Sequence, residues 1–247
     1  MVLMNKNMKD FIKIIAMSVI LVSGYTMAKD TQKFPEIEAL GFKITNQVKL
    51  TGSGLDDAFL VKIGADWVFA TPNSSTVIKG ELIDLKSREV VNSRYLAPIT
   101  KEIVNSYPED LKIVYKATTK ETLSVINVLT DTSCPYCRKL HKEIPALNAK
   151  GIEVRYIPFA RGYTRGKGYG QMLSIWCSDD KAKALNDIFS GGKPSDEKCL
   201  TQAVSLGHSL ATKLDASGTP AIYFENGEVI PGYISEKEIV EKIKSID

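Results

Sequence analysis

Hydrophobic and polar residues alternate along parts of the first half of the chain. Partial alternation at 42–50, 59–63, 67–70 and 77–85 predicts strands, and 64–66 is short enough to be a hairpin loop. Such a pattern is typical of antiparallel strands with one buried face. About 60 residues of this kind make a thin core. The strands would therefore bury a face either against a second copy or against the rest of the chain.

From residue 120 onward the apolar runs are longer and the order of predicted elements is β, α, β, helices, β, β, α. A continuous apolar run at 124–130 predicts a buried central strand. A helix follows from Cys134, and Pro145 is expected to kink or split it. The remaining predictions are a strand at 152–159, helices within 164–216, a hairpin at 221–230 with a type I′ turn at Asn226-Gly227, and a helix at 236–246. This order predicts an α/β sheet with helices on both faces and a helical insertion at 164–216.

The segment 92–116 differs from both parts. Pro98 is predicted to start a helix, Ile103 and Val104 continue a short apolar stripe, and Pro108 interrupts it. We interpret the segment as a connector.

The N-terminus has the layout of a secretory signal peptide. Lys6, Lys9 and Lys13 precede an apolar run at 14–22, and small residues at Thr26 and Ala28 predict cleavage after residue 28. The alternative is an uncleaved membrane anchor, but that needs about 20 apolar residues. Export would place the cysteines where disulfides form and persist.

Composition narrows the protein class. The chain has 247 residues, of which 44% are hydrophobic and 25% charged, with four cysteines and a net charge of +3. These values exclude collagen, a disordered chain and a cysteine-dense miniprotein. No basic patch favours nucleic acid as a partner.

The candidate chemistry lies at Cys134-Pro135-Tyr136-Cys137. At the start of a helix the first sulfur lies beside unpaired backbone N–H groups, which favour the thiolate. We therefore expect Cys134 to be an exposed nucleophile with a lowered pKa. Cys137, one turn further along, would resolve a mixed disulfide by attacking Cys134.

Two alternatives to a redox site remain, a zinc site and an inert structural pair. Zinc sites usually bring two close pairs of ligands, whereas the other two cysteines are single, and His141 and His208 lack ligand spacing. The position of the Cys134–Cys137 motif between a strand and a helix favours a redox site. We predict no metal and no cofactor.

A second feature is Gly218-Thr219-Pro220-Ala221, directly before an apolar strand. The peptide bond before Pro220 is either cis or an ordinary trans bond in a turn. In the cis form the backbone of Thr219 would offer an edge to an extended substrate.

Taken together, these segments resemble the DsbC/DsbG family of thiol:disulfide interchange proteins. The resemblance runs from about 112 to 246 and is carried by residues 128–141, 152–156, 175–177, 218–221 and 229–233. It implies a mixed α+β and α/β architecture in a V-shaped homodimer. The implied bounds are a signal peptide at 1–28, an N-terminal dimerisation domain at 29–91, a linker helix at 92–116 and a thioredoxin-like catalytic domain at 117–247.

The resemblance also implies a function and its residues. It implies a periplasmic disulfide isomerase with some chaperone character, acting on misoxidised exported proteins and kept reduced by a membrane thiol reductant of the DsbD type. Cys134 would attack and Cys137 resolve, and substrate contacts would come from Pro135, Tyr136, Thr219 and Pro220. Cys177 and Cys199 would form a structural disulfide, the alternative being a second redox pair.

Some residues depart from the family pattern. The dipeptide between the cysteines is Pro-Tyr instead of Gly-Tyr, and Val128 occupies the strand position where thioredoxin folds often keep a buried acid. The connector carries Pro108, and Pro145 and the Gly-rich loop at 161–168 are also unusual. Two other functions therefore stay open, a dedicated reductant for one partner system and a non-catalytic chaperone.

Overall fold

The computed structural model describes residues 32–246, apart from 53, 56, 65, 87, 89 and 195–198. The predicted signal peptide at 1–28 lies outside the described residues. None of the helices in the described part of the chain is both long and apolar enough to cross a bilayer.

The N-terminal part contains a short helix and a three-stranded antiparallel sheet. Helix α1 (Pro35–Ala39) precedes strands β1 (Ile44–Lys49), β2 (Phe59–Ile63) and β3 (Asp66–Ala70), which lie in the order β1-β2-β3. The strands predicted at 42–50, 59–63 and 67–70 are thus confirmed. Strands β2 and β3 each bury three side chains, and Phe34 packs edge-on against Phe59, the first residue of β2.

The strand predicted at 77–85 is wrong. Only isolated bridges occur there, Phe69 with Ile78 and Ile83 with Val90. The Asn92 side chain instead accepts a hydrogen bond from the Leu82 N–H and donates one to the Gly80 carbonyl. The apolar side chains of this segment are largely exposed, so no buried face holds it in a sheet.

The connector helix differs from its predicted extent. Helix α2 spans Val91–Asn105, so Pro98 lies inside the helix and does not start it. Buried Val91 and Val104 show that the apolar stripe begins earlier and favours one continuous helix. The helix also ends well before 116, because a 3-10 turn at Glu109–Leu111 follows and the next segment is a strand.

That strand, β4 (Ile113–Tyr115), is the edge of a five-stranded sheet and was not predicted. Only three residues long, it gives a weak periodic signal. The other strands match the predicted order, and the sheet runs β4-β6-β5-β7-β8 with β5 and β6 parallel. Their bounds are β5 (Ser124–Thr130), β6 (Ile152–Pro158), β7 (Ala221–Tyr223) and β8 (Val229–Pro231).

The helices of this second part also follow the prediction. The helix after Cys134 is split into α3 (Pro135–His141) and α4 (Ile144–Ala149), with Pro145 in the first turn of α4. The insertion carries three helices, and the chain closes with a fourth. These are α5 (Tyr169–Cys177), α6 (Lys181–Phe189), α7 (Ala203–Lys213) and α8 (Glu236–Ile246), with a further 3-10 turn at Tyr163–Arg165.

The turn between β7 and β8 is not of type I′. That turn needs a positive φ at two successive residues, and here Gly227 has a φ of 92° whereas Asn226 is not in the left-handed region. Gly227 also lies so close to α2 that an added Cβ would sit 1.8 Å from the carbonyl oxygen of Ala97. The glycine therefore permits close packing of this hairpin on the connector helix.

Apolar side chains cover both faces of the five-stranded sheet. On β5, Ile126 and Val128 belong to a core shared with both free cysteines, whereas Leu129 faces a second core with residues of α2 and α7. Alternation along the strand places the two sets on opposite faces. A continuous apolar run was therefore the correct signal for a strand buried on both sides.

Helix α7 approaches the end of β6 at Gly207. A Cβ on this residue would lie 1.9 Å from the carbonyl oxygen of Pro158, whereas a Cβ on Gly170 in α5 would meet no atom within 4 Å. The two helical glycines therefore differ sharply in the space around them.

We predict that Gly207→Ala destabilises the protein by about 1–3 kcal/mol, because the helix must move away from the sheet. Gly170→Ala is the matched control, and its effect on stability should be neutral or slightly favourable because Ala is the better helix former. Thermal unfolding of both variants provides the measurement. Equal midpoints of thermal unfolding for the two variants would contradict the close packing of α7 on β6.

Candidate active site

The candidate nucleophile lies at the junction of β5 and α3. Cys134 is the N-cap residue of α3, with extended backbone angles, and its backbone N–H donates to the Asp131 carbonyl at 3.0 Å. Its Sγ accepts a hydrogen bond from the backbone N–H of Cys137 at 3.4 Å. Pro135 is the first helical residue, where a missing N–H has no consequence for the helix.

The expectation of an exposed Cys134 is wrong. The residue is only 2% exposed, and Cys137 is fully buried behind it. The reason is the Thr219–Pro220 loop, which lies over the sulfur. When it is protonated, the Cys134 thiol donates to the Thr219 carbonyl at 3.1 Å. The Thr219–Pro220 peptide bond is cis, and Pro220 itself is buried.

The two thiols have opposite electrostatic environments. The pKa of Cys134 is lowered to about 5, chiefly by a hydrogen bond from the Cys137 thiol and further by Thr219 and the backbone N–H groups of Cys137 and Tyr136, against the effect of burial. Burial raises the pKa of Cys137. At neutral pH the arrangement therefore holds a thiolate at Cys134 and a protonated thiol at Cys137.

A buried carboxylate fixes the loop that leads into Cys134. Asp131 is fully buried, and its oxygens accept from the Ser133 N–H and hydroxyl at 2.8 Å and from the Arg161 N–H and Nε at 3.0 Å. Burial opposes the charge of Arg161, but Asp131 and then the sulfurs of Cys134 and Cys137 raise its pKa. The guanidinium in turn favours a thiolate at the site.

Sequence reasoning missed this ion pair. Asp131 stands directly after the buried strand β5, which was a usable signal, since a charge is rarely buried without a partner. Arg161 was noted only as part of an unusual Gly-rich loop.

An aromatic surface lies beside the cysteines. Tyr136 is largely exposed and stacks on Tyr233, with ring centroids 6.1 Å apart. Lys139 Nζ lies 4.2 Å from the Tyr233 centroid, and the Tyr233 hydroxyl donates to Glu143. Tyr233 follows β8 and was not among the predicted site residues.

The other two cysteines lie apart from this site. Cys177 at the end of α5 and Cys199 before α7 form a disulfide with an S–S distance of 2.04 Å. Cys134 and Cys137 are both free thiols. Within the described ranges, no group of three or more His, Cys, Asp or Glu side chains is arranged to hold a metal ion.

Comparison with known proteins is consistent with this geometry. The thioredoxin-like domain family matches residues 108–246. The thiol:disulfide interchange protein DsbC of Salmonella typhimurium is 33% identical over 220 residues, covering 88% of each chain, and that of Escherichia coli is 30% identical over 223 residues, covering 89% of each. A solved disulfide interchange protein from Neisseria gonorrhoeae is 24% identical, with a TM-score of 0.48 over 56% of this chain and 96% of its own. The chain belongs to the DsbC/DsbG family of thiol:disulfide interchange proteins.

Proposed function

We propose that this thiol:disulfide interchange protein is a periplasmic disulfide isomerase, which rearranges wrong disulfides in exported proteins through Cys134 and Cys137. One observation carries the proposal. Cys134 has a lowered pKa beneath the Thr219 backbone, while Cys137 keeps its proton behind it. An attacking thiolate with a resolving thiol in reserve is the arrangement that disulfide exchange requires.

Isomerisation would proceed through a mixed disulfide. The Cys134 thiolate attacks one sulfur of a substrate disulfide, forming a Cys134–substrate bond and releasing the other substrate sulfur as a thiolate. A different substrate thiolate then attacks the attached substrate sulfur and releases Cys134. A new substrate disulfide has formed with no net oxidation, so the enzyme returns to its reduced state.

Closure of the enzyme disulfide is the competing outcome. If no substrate thiolate attacks, Cys137 displaces the substrate and the two cysteines are oxidised. We propose that a membrane thiol reductant of the DsbD type then supplies two electrons. The names of the DsbC relatives support a thiol:disulfide interchange role, and the predicted signal peptide supports a periplasmic location.

The surface around Cys134 suits an unfolded client. We propose that an extended client segment pairs with the backbone of Thr219, as an added strand pairs with a sheet edge. Pro135 and Tyr136 are exposed at the start of α3, so an apolar client side chain would contact them next to the reacting cysteine.

We further propose that residues 29–91 form a dimerisation domain, with 92–116 as the connector and 117–247 as the catalytic domain. The proposal of a homodimer is supported by four exposed apolar residues, Leu40, Phe42, Val77 and Ile78. The first three line one groove with Asp66 and Val68 of β3, and Ile78 pairs with Phe69 of the same strand. Contiguous exposed apolar surface is typical of an interaction site. Two catalytic domains facing each other would hold varied unfolded clients.

Isomerase activity is tested with a scrambled, multiply disulfide-bonded substrate and catalytic amounts of reductant. The mature protein should restore native substrate activity, and Cys134→Ser should abolish this. Cys137→Ser is the matched variant. Isomerisation by the mechanism above needs only Cys134, so this variant should keep part of the isomerase activity.

The other functions give different results. Reduction of insulin without recovery of scrambled substrate, lost equally in both variants, would indicate a dedicated reductant. Undiminished activity after Cys134→Ala would indicate a non-catalytic chaperone.

The homodimer is tested by light scattering on residues 29–247. The wild-type chain should have the mass of a dimer at micromolar concentration. Ile78→Asp should give monomers, because it buries a charge in the proposed interface, whereas Leu200→Asp, at a more exposed apolar residue elsewhere, should remain dimeric. A wild-type monomer would contradict the dimer.

A further inference from the structure

The Gly-rich loop at 161–168 lies at the same edge of the five-stranded sheet as Cys134. Strands β5 and β6 are parallel neighbours, so the segments that follow them, which carry Cys134 and this loop, leave the sheet at one edge. Strand β7 is antiparallel to β5 on its other side, so the Thr219–Pro220 segment before β7 reaches the same edge. Cys134 therefore follows β5 between the Thr219–Pro220 segment and the loop.

Both ends of the loop contact the same buried carboxylate. The backbone N–H and the Nε of Arg161 donate to one Asp131 oxygen at 3.0 Å. At the other end, a Cβ on Gly168 would lie 2.3 Å from the second Asp131 oxygen, and the Gly168 carbonyl accepts from the Thr132 hydroxyl at 3.4 Å. Because the Asp131 carbonyl also accepts from the Cys134 N–H, the loop is anchored beside the reacting cysteine.

The glycines give the loop a closely packed backbone. Gly162 has a φ of 80°, which favours glycine. A Cβ on Gly166 would lie 2.1 Å from the Arg161 carbonyl oxygen, so the loop folds back on its own first residue. Between these glycines, Tyr163 stacks on His208 of α7 with ring centroids 4.4 Å apart. The backbone that presents the remaining side chains is therefore held by contacts at both ends and at its centre.

The loop carries two exposed cations whose charges are not neutralised. Arg165 and Lys167 are both exposed, and neither forms a salt bridge with another residue of the described chain. Asp131 already pairs with the first residue of the loop, and Asp215, in the segment before β7, pairs with Lys62 of β2. The acidic groups that flank the site along the chain are therefore occupied, and two positive charges of the loop stay available to a partner.

These charges lie close enough to the cysteine to act on a bound client. Lys167 directly precedes the anchored Gly168, and Arg165 is three residues from it, so both Cα atoms lie within about 11 Å of the Gly168 Cα. Charges are screened over about 10 Å at 0.1 M salt. An extended client advances about 3.3 Å per residue, so its side chains about two to four residues from the reacting cysteine come within this range.

We propose that the loop at 161–168 is a cationic rim that selects client segments with acidic residues near the cysteine to be attacked. This inference rests on the disulfide exchange function proposed above and specifies its substrate class. A client that pairs with Thr219 extends across Cys134, and its carboxylates then face Arg165 and Lys167. Charges at the rim of a binding site chiefly raise the rate of association and make that rate depend on salt.

The test compares three peptides that differ only in charge. Each carries one cysteine activated as a 2-pyridyl disulfide and flanked by Glu, Gln or Lys residues. Attack by the Cys134 thiolate forms a disulfide between Cys134 and the peptide and releases pyridine-2-thione, whose absorbance gives the rate. At mildly alkaline pH the thiolate is fully formed, because the pKa of Cys134 is about 5, so a change in that pKa does not affect the comparison.

The wild-type protein should attack the Glu peptide about tenfold faster than the Lys peptide at low salt, with the Gln peptide between them. About 1 M salt should remove most of this difference, because it shortens the screening length to about 3 Å.

Removal of the two charges should remove the preference. Arg165→Gln combined with Lys167→Gln should lower the ratio of the Glu to the Lys peptide rates about tenfold, and Arg165→Glu with Lys167→Glu should invert the preference. This ratio isolates the effect of charge, because a general loss of activity lowers both rates alike. Lys120→Gln is the matched control. Lys120 is also exposed but precedes β5, at the opposite edge of the sheet from Cys134, so the wild-type ratio should be kept.

Equal rates for the three peptides in the wild-type protein at low salt would overturn the cationic rim and leave exchange at Cys134 intact. So would a preference for the Glu peptide that persists in the double Gln variant, or one that Lys120→Gln removes equally. Wild-type protein that releases no thione from any of the peptides would overturn the proposed dithiol function and the rim with it.

Discussion

The constraint on which this site depends is a negative charge on a sulfur that water barely reaches. Burial alone would raise the pKa of Cys134, as it does for Cys137. The charge is stable there because the Cys137 thiol and two N–H groups at the start of α3 donate hydrogen bonds to it, and because Thr219 adds a further favourable contribution. These groups come from the first turn of α3 and from the loop before β7, so both parts of the fold must be assembled before the thiolate is favoured.

The fold brings the groups around this sulfur together from segments that are distant in sequence. Strand β5 ends at Thr130, and the buried Asp131 carboxylate fixes the next three residues by bonding Ser133 and Arg161. Strand β7 brings Thr219 over the sulfur from the other side, since β5 and β7 are neighbours in the sheet. Strand β6, which pairs with β5, contributes Tyr156 to the core that also contains Cys137. Neighbouring strands thus determine both the charge of the attacking thiol and the environment of the resolving one.

Strong local patterns predicted much of this from the sequence. The apolar run at 124–130, the helix after Cys134 and its division at Pro145 were recognisable because each depends on neighbouring residues. The segment 77–85 has the composition of a strand, but the Asn92 side chain bonds its backbone at Leu82 and Gly80. A side chain 10 and 12 residues away carries no periodic signal. The pairing of Asp131 with Arg161 and the cover of Thr219 over Cys134 depend on contacts across 30 and 85 residues. Spacing in the sequence therefore placed Cys134 at the start of a helix, as the structure shows, but gave the wrong exposure for it.

The central claim is tested most directly by the pH dependence of Cys134 alkylation in the reduced protein. The rate should reach half its plateau near pH 5, because the thiolate is the reacting form and the pKa of Cys134 is lowered to about 5. Cys137→Ala removes the largest favourable contribution and should move this midpoint upward, whereas Cys137→Ser keeps a donor and should move it less. A wild-type midpoint near the free-cysteine pKa of about 8.5, unchanged in Cys137→Ala, would contradict the account.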